Sequence, residues 1–328
     1  MRVLVAGGAG FVGNHLCRRL LRDGHHVVCV DNLLTGRRAN LADLDGAPGF
    51  EFLEADAART PDVAVDAIVH LASPASPVDY ERLPLETMAA NSLGTWRLLE
   101  LAADTGAALT FVSTSEIYGD PLVHPQPETY WGNVDPIGPR ACYDESKRFG
   151  EALVTSFRRV RGVRAAIVRV FNTYGPAMRL DDGRVMPEFL GAALTGKPMQ
   201  VHGDGRQSRS FMYVDDLVDA LLLVALDPAA DGLVLNVGNE EEITIAELAE
   251  LIATEVGSGA TIAHLAAREG DPQQRRPDIT RIRERYGWQP SVPLAEGLHR
   301  TAAWYRALLA PQAAAASDQH GSPRSAVA

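Results

Sequence analysis

Tyr143 and Lys147 stand four residues apart in Tyr143-Asp144-Glu145-Ser146-Lys147, a spacing that puts two side chains on one face of a helix. An ammonium beside a phenol favours the phenolate and brings its pKa down from about 10 toward a working value. Such a phenolate removes the proton of an alcohol while hydride leaves the same carbon. Ser113-Thr114-Ser115-Glu116 ends a strand-like run, and open α/β sheets place their chemistry at the carboxyl ends of strands. Thr114 is expected to anchor the reacting hydroxyl, and Glu116, two residues on along an extended segment, to face the same pocket. Taken alone, Glu116 reads as an ordinary exposed loop glutamate.

The departing hydride needs an acceptor, and the amino terminus offers a place for a dinucleotide. Gly7-Gly8-Ala9-Gly10-Phe11-Val12-Gly13 follows a first strand pattern and opens a first helix. Gly7 permits the tight turn, Gly10 lets the backbone approach a pyrophosphate, and Gly13 lets helix and strand pack closely. The phosphates then meet the positive end of the helix. Asp31 ends the second strand, where a carboxylate accepts from the adenosine ribose and repels a 2′-phosphate, so NAD is expected over NADP. Arg37 and Arg38 are the nearby residues that would accommodate such a phosphate instead. Asp56 is a candidate for the adenine amino group and reads equally as a solvated turn aspartate.

Strand-like runs at Val3–Ala6, Val27–Asp31, Phe50–Leu53, Ala67–Leu71, Leu109–Ser113 and Ala165–Val170 alternate with helical spacing at Phe11–Asp23, Leu85–Thr105 and Lys147–Arg161. Continuous apolar strands separated by helices are what a parallel sheet covered on both faces requires. The expectation is an α/β, doubly wound parallel sheet over 1–175. The helix Asp215–Leu226 and the strand Leu233–Val237 then rejoin it, in a return segment at about 211–238. Between and after these, 176–210 and 239–309 lose the alternation, gain Pro and Gly, and read as a smaller lobe with helices at Ile245–Val256 and Leu294–Leu309. From Ala310 the Ala, Ser, Gly and Pro composition predicts a disordered tail.

The chain has 328 residues, 46% hydrophobic and 22% charged, in the range of globular proteins. Its 31 Lys and Arg against 42 Asp and Glu give a net charge of −11, which argues against a nucleic-acid surface. No apolar run approaches the roughly 18 residues of a membrane span, and the first residues are too soon glycine-broken for a secretory signal. Cys17, Cys29 and Cys142 lie far apart without CxxC spacing, which fits a reducing cytoplasm. His70, His124 and His202 show no ligand-like spacing, so no metal is expected.

Leu71-Ala72-Ser73-Pro74-Ala75-Ser76-Pro77, the stretch STSEIYGDP from Ser113, YWGNVDPIGPRACY from Tyr130 and DPQQRRPDI from Asp271 join the glycine turn and the Tyr–Lys pair. Together they resemble the extended short-chain dehydrogenase/reductase family over the chain to about Tyr305, and within it the members that decarboxylate UDP-glucuronate. The resemblance implies NAD oxidation of sugar C4, loss of carbon dioxide from the β-keto acid and re-reduction to UDP-xylose. It makes Tyr143 the base, Lys147 its activator, Thr114 the hydroxyl anchor and Glu116 the residue tied to decarboxylation. It adds Asn32, Thr35, Gly36, Leu71, Ala72, Ser73 and Asn91 to Phe11 and Val12 of the turn as cofactor contacts. It assigns Ser115, Glu116, Tyr143, Asn172, Arg179, Arg184, Val185, Arg209 and Arg275 to the substrate. By default Arg209 and Arg275 would read as solvated surface arginines. A homodimer through the helices Leu85–Thr105 and Lys147–Arg161 is also implied.

The chain departs from the family's pattern at Ala177, where an arginine is common, at His202, where a tyrosine often supports the uracil, and at Asp135, a common asparagine. These keep a UDP-glucuronate 4-epimerase, giving UDP-galacturonate through the same ketone, as the alternative. Glu116 favours decarboxylation, since related epimerases usually carry a small hydroxyl residue there. Ser115 stands where the 4,6-dehydratases carry aspartate. A dinucleotide-binding module without turnover is the remaining rival, and the retained Tyr143 and Lys147 speak against it.

Overall fold

A computed structural model describes residues 1–257, 260–266 and 274–319. Seven strands form one parallel sheet: β1 (Arg2–Ala6), β2 (His26–Asp31), β3 (Phe50–Glu54), β4 (Ala67–His70), β5 (Ala108–Thr114), β6 (Ala165–Val170) and β7 (Val234–Val237). The order is β3-β2-β1-β4-β5-β6-β7, so the direction of winding reverses between β1 and β4. Alternate residues feed two cores: Val3, Val5, Val27 and Cys29 on one face, Leu4, Ala6, Val28 and Val30 on the other. That two-sided burial is why the strands read as unbroken apolar runs.

On the first face lie α1 (Phe11–Arg22), with Leu16, Cys17 and Leu20 inward, and later the helix Val214–Ala225. The other face carries α2 (Thr95–Thr105) and α3 (Ala141–Arg161), which bury Leu98, Leu99, Val154 and Phe157. Each such aliphatic side chain contributes about 1.5–3 kcal/mol on burial. The helix expected over Leu85–Thr105 is instead Pro84–Ala89, a single π-helical turn Ala90–Gly94, and α2. The helix expected from Lys147 begins at Ala141, because its first turn faces the cleft and shows no core-facing stripe. Ser115–Tyr118 is a 3-10 turn capped by Thr114, not an extended segment.

After β6 the chain builds α4 (Val185–Leu194), returns through α5 (Val214–Ala225) and β7, then adds α6 (Ile245–Val256) and α7 (Leu294–Gln319). α6 opens with a capping box between Thr244 and Glu247. A small sheet sets Ser208–Ser210 between Glu242–Thr244 and Gln274–Arg275, and this register brings Arg209 beside Arg275. Residues 271–273 of the DPQQRRPDI stretch lie outside the described residues. α7 is clasped to the rest by Tyr305 Oη donating to the Met178 carbonyl (2.8 Å) and Tyr174 Oη to Leu294 (3.1 Å). It runs on into the segment expected as a tail, whose residues 320–328 are outside the described ones. No helix among the described residues is long and apolar enough to cross a membrane.

Candidate active site

The carboxyl ends of β1, β2, β4, β5 and β6 open into a cavity of about 710 Å³, roofed by the loops around α4 and the small sheet. At its floor Gly7 adopts φ +85°, and a Cβ there would lie 2.7 Å from the Ala72 nitrogen. A Cβ on Gly13 would come within 2.1 Å of the Gly7 carbonyl. Only glycine fits either place. Gly10 caps α1 without a side-chain hydrogen bond, so the first-turn amides are left to an anion. The loop therefore has the shape and donors to hold a dinucleotide pyrophosphate.

Asp31 accepts from the amides of Ala9 (2.9 Å) and Leu33 (2.8 Å), which ties the glycine loop to the end of β2. Burial pushes its pKa up, and those two amides pull it back. Gly36 approaches so closely that a Cβ would lie 2.8 Å from Asp31 Oδ1. Arg38 stacks over Phe52 (4.3 Å) and pairs with Asp45, while Arg37 lines the cleft. Asp56 caps a 3-10 turn through Ala58 and accepts from Asn32 Nδ2 at 2.8 Å. Asn32, Thr35, Leu71, Ala72 and Ser73 line the cleft with Phe11 and Val12. Asn91 does not. It is buried behind α3, donates to Ser146 Oγ (3.0 Å), and Ser146 in turn donates to the Tyr143 carbonyl (3.0 Å). These two bonds tie the π-helical turn to α3, and Asn91 Oδ1 is buried without a hydrogen-bond partner.

Tyr143, in the first turn of α3, points into the cleft with its phenol hydrogen-bonded to Thr114. Lys147 Nζ donates to the Val112 carbonyl of β5 (2.9 Å) and lies 5.9 Å from the Tyr143 ring centre. The expected lowering of the phenol by this ammonium is not what the protein alone produces. Burial pushes Tyr143 up, with the Thr114 hydrogen bond working against it. Burial also pulls Lys147 down to about 7, while Glu151 pulls it up. The ammonium is turned to a backbone carbonyl, so desolvation outweighs pairing.

Glu116 is reached from two sides, by Arg140 at the cap of α3 and by Arg275 of the small sheet. Arg275 is 4% exposed and Arg209 is 9% exposed, so neither is the solvated arginine that the sequence alone suggests. Arg209 donates to the Ser208 carbonyl (2.8 Å), and Asn172 Nδ2 to that of Ser210 (3.3 Å). Arg179 donates twice to Asp79 (2.9 Å each), and Arg184 pairs with Asp182 at the start of α4, where Val185 also lines the cleft. Ser115 lines it too.

The NAD dependent epimerase/dehydratase family matches residues 3–238, which carry both the glycine loop and the Tyr–Lys pair. The chain belongs to this family. UDP-glucuronic acid decarboxylase 1 of Xenopus tropicalis is 47% identical over 312 residues, 95% of this chain and 74% of that protein. UDP-glucose 4-epimerase of Thermotoga maritima, solved with UDP-glucose, superposes with a TM-score of 0.85 at 31% identity, covering 94% of this chain and 100% of that one. UDP-glucuronic acid 4-epimerase of Bacillus cereus, solved with UDP-glucuronic acid and NAD, gives 0.83 at 28% identity, with 94% and 100% covered.

Sequence reading of this epimerase/dehydratase missed three residues. Tyr80, in the helix Pro77–Arg82, stacks on Tyr143 with centroids 5.2 Å apart and planes 9° apart. No spacing signal links two rings 63 positions apart in the chain. Arg140 and Asp144 flank the base in sequence, and that adjacency was the available clue.

Proposed function

We propose that this epimerase/dehydratase removes carbon dioxide from UDP-glucuronate to give UDP-xylose. The observation that carries the reading is the Glu116 carboxylate, held by Arg140 and Arg275 in the cleft that contains Thr114 and Tyr143. A relative named as a UDP-glucuronic acid decarboxylase, 47% identical over almost the whole chain, supports it. NAD held at the glycine turn of Gly7, Gly10 and Gly13 would supply a reversible hydride acceptor for sugar C4. Tyr143 takes the proton of the C4 hydroxyl, which Thr114 aligns. The resulting ketone lies β to the carboxylate, so the C5–C6 electron pair drains into it and the enolate is protonated at C5. Glu116 with its two arginines serves that stage. Arg209, Arg179 and Arg184 supply planar donors suited to a diphosphate or a carboxylate.

The alternative is a UDP-glucuronate 4-epimerase, which would form the same ketone and return hydride to the opposite face. Its support is fold-level, 28% identity against 47%. Mass analysis of the product from UDP-glucuronate separates the two. Carbon dioxide release with a pentose product is expected, and an isomer of unchanged mass overturns the reading. With Glu116→Ser, carbon dioxide release is expected to fall by roughly 10²-fold or more while C4 oxidation persists. Unchanged release would show Glu116 to be a bystander.

Two further readings accompany this one. Leu85, Met88, Leu93, Trp96 and Phe149 are exposed apolar residues on the helical face formed by Pro84–Thr105 and α3, and a second copy of the chain is the proposed cover, giving a homodimer. Three free cysteines, two of them fully buried, suit a reducing cytoplasm.

A further inference from the structure

The segment 176–183, which leads into α4, borders the cleft and is tied down along its length. His15 Nε2, in α1, meets the Pro176 carbonyl at 2.9 Å. Arg179 donates through Nη2 to both carboxylate oxygens of Asp79 (2.9 Å each) and through Nη1 to the Thr35 carbonyl (3.4 Å). Asp181 Oδ1 lies 3.2 Å from Arg179 Nε and 3.6 Å from Arg37 Nη2. Gly183 rests on the helix Pro77–Arg82, where a Cβ would come within 2.4 Å of Val78 Cγ2.

In the sheet, β2 and β4 flank β1, and the glycine turn opens from the carboxyl end of β1. Thr35 follows β2, and Asp79 follows β4. Both flanks touch the turn: the Arg37 amide donates to the Ala9 carbonyl (3.0 Å), and Gly7 lies against Leu71 and Ala72. A guanidinium bonded to Thr35 on one side and to Asp79 on the other therefore spans the turn shaped for the dinucleotide. Asp79 is 4% exposed and is itself fixed by Ser76, whose Oγ donates to it at 2.9 Å. Separating that carboxylate from its arginine leaves two nearly buried charges unpaired, which is costly, so the bridge opens seldom.

The reaction proposed above takes a hydride from sugar C4 and gives one back, so the dinucleotide has to stay in the cleft between the two transfers. We propose that 176–183 is a strap across the cofactor cleft, closed by the Arg179–Asp79 ion pair, and that opening of this pair limits the release of NAD. Arg179 and Asp79 are positioning residues in this scheme and touch no reacting atom. The inference rests on NAD occupying the glycine turn, and it holds for decarboxylation and epimerisation alike.

Holoenzyme loaded with isotopically labelled NAD is chased with unlabelled NAD, and the retained label is counted after desalting. Asp79→Asn and Arg179→Gln should each release label about tenfold faster or more, with affinity for UDP unchanged. The double variant should release no faster than the faster single one, because both changes break the same contact. Label leaving the single variants at the unaltered rate overturns the proposal, and so does a double variant whose effect is the product of the two. A loss of UDP affinity with unchanged NAD release also overturns it, and returns Arg179 to the substrate. If neither single variant folds, Arg179→Lys decides. Its ammonium keeps the charge but lacks the fork that reaches Asp79 and Thr35 together, so faster release supports the strap and an unaltered rate overturns it. An unaltered chain that retains no NAD sinks the dinucleotide reading of the glycine turn and this proposal with it. NAD retained equally by every variant removes the strap alone.

Discussion

Tyr143 meets the cleft from a nearly dry environment, between the Tyr80 ring and the Thr114 hydroxyl. Burial raises the phenol, so the protein stores a base that is protonated until its surroundings draw the proton away. Tyr143→Phe keeps the ring stack and removes the acid–base group. C4 oxidation should then fall by about 10²–10⁴-fold with NAD still bound, read as reduced-nicotinamide absorbance in a single turnover. Full activity in that variant rules out the assigned base. Tyr143, Lys147 and Thr114 were legible in the sequence because helical spacing and a strand end are local patterns. The arginine grip on Glu116 was not, because Arg140 and Arg275 converge from elements 135 positions apart in the chain. The seat of Asn91 behind α3, where it donates to Ser146, was not legible either, since it is set by the packing of that helix.

At the scale of elements, α3 lies on β5 so tightly that Gly150 has no room for a methyl group. A Cβ there would sit 2.4 Å from Phe111 Cζ. Alanine gains about 1 kcal/mol of helix propensity at such a site, whereas overpacking a core costs about 1–3 kcal/mol. Overpacking wins, so Gly150→Ala should lower the urea midpoint and, by lifting α3, reduce turnover through Tyr143 and Lys147. An unchanged midpoint would show that the contact relaxes freely. The strands were readable because both faces of each are buried, and the main helices because their inner stripes are periodic. The π-helical turn Ala90–Gly94 and the early start of α3 were not. Both are fixed by what they pack against, and no apolar period marks them.

For the whole molecule, the exposed apolar face is the feature that asks for a partner. Leu93 is 63% exposed and Leu85 75% exposed on adjoining helical segments. If the proposed homodimer forms through this face, replacing both with lysine should leave the fold intact and shift sedimentation from dimer to monomer. A dimer that persists would place the interface elsewhere. The sheet order carries a different consequence. β7 pairs with β6, yet 63 residues separate the end of one from the start of the other. On the ribosome the nascent chain will thus present β6 as an open edge until Val234–Val237 has emerged, and an open parallel edge recruits other strands. A translation stall within that interval would prolong the exposure of this edge.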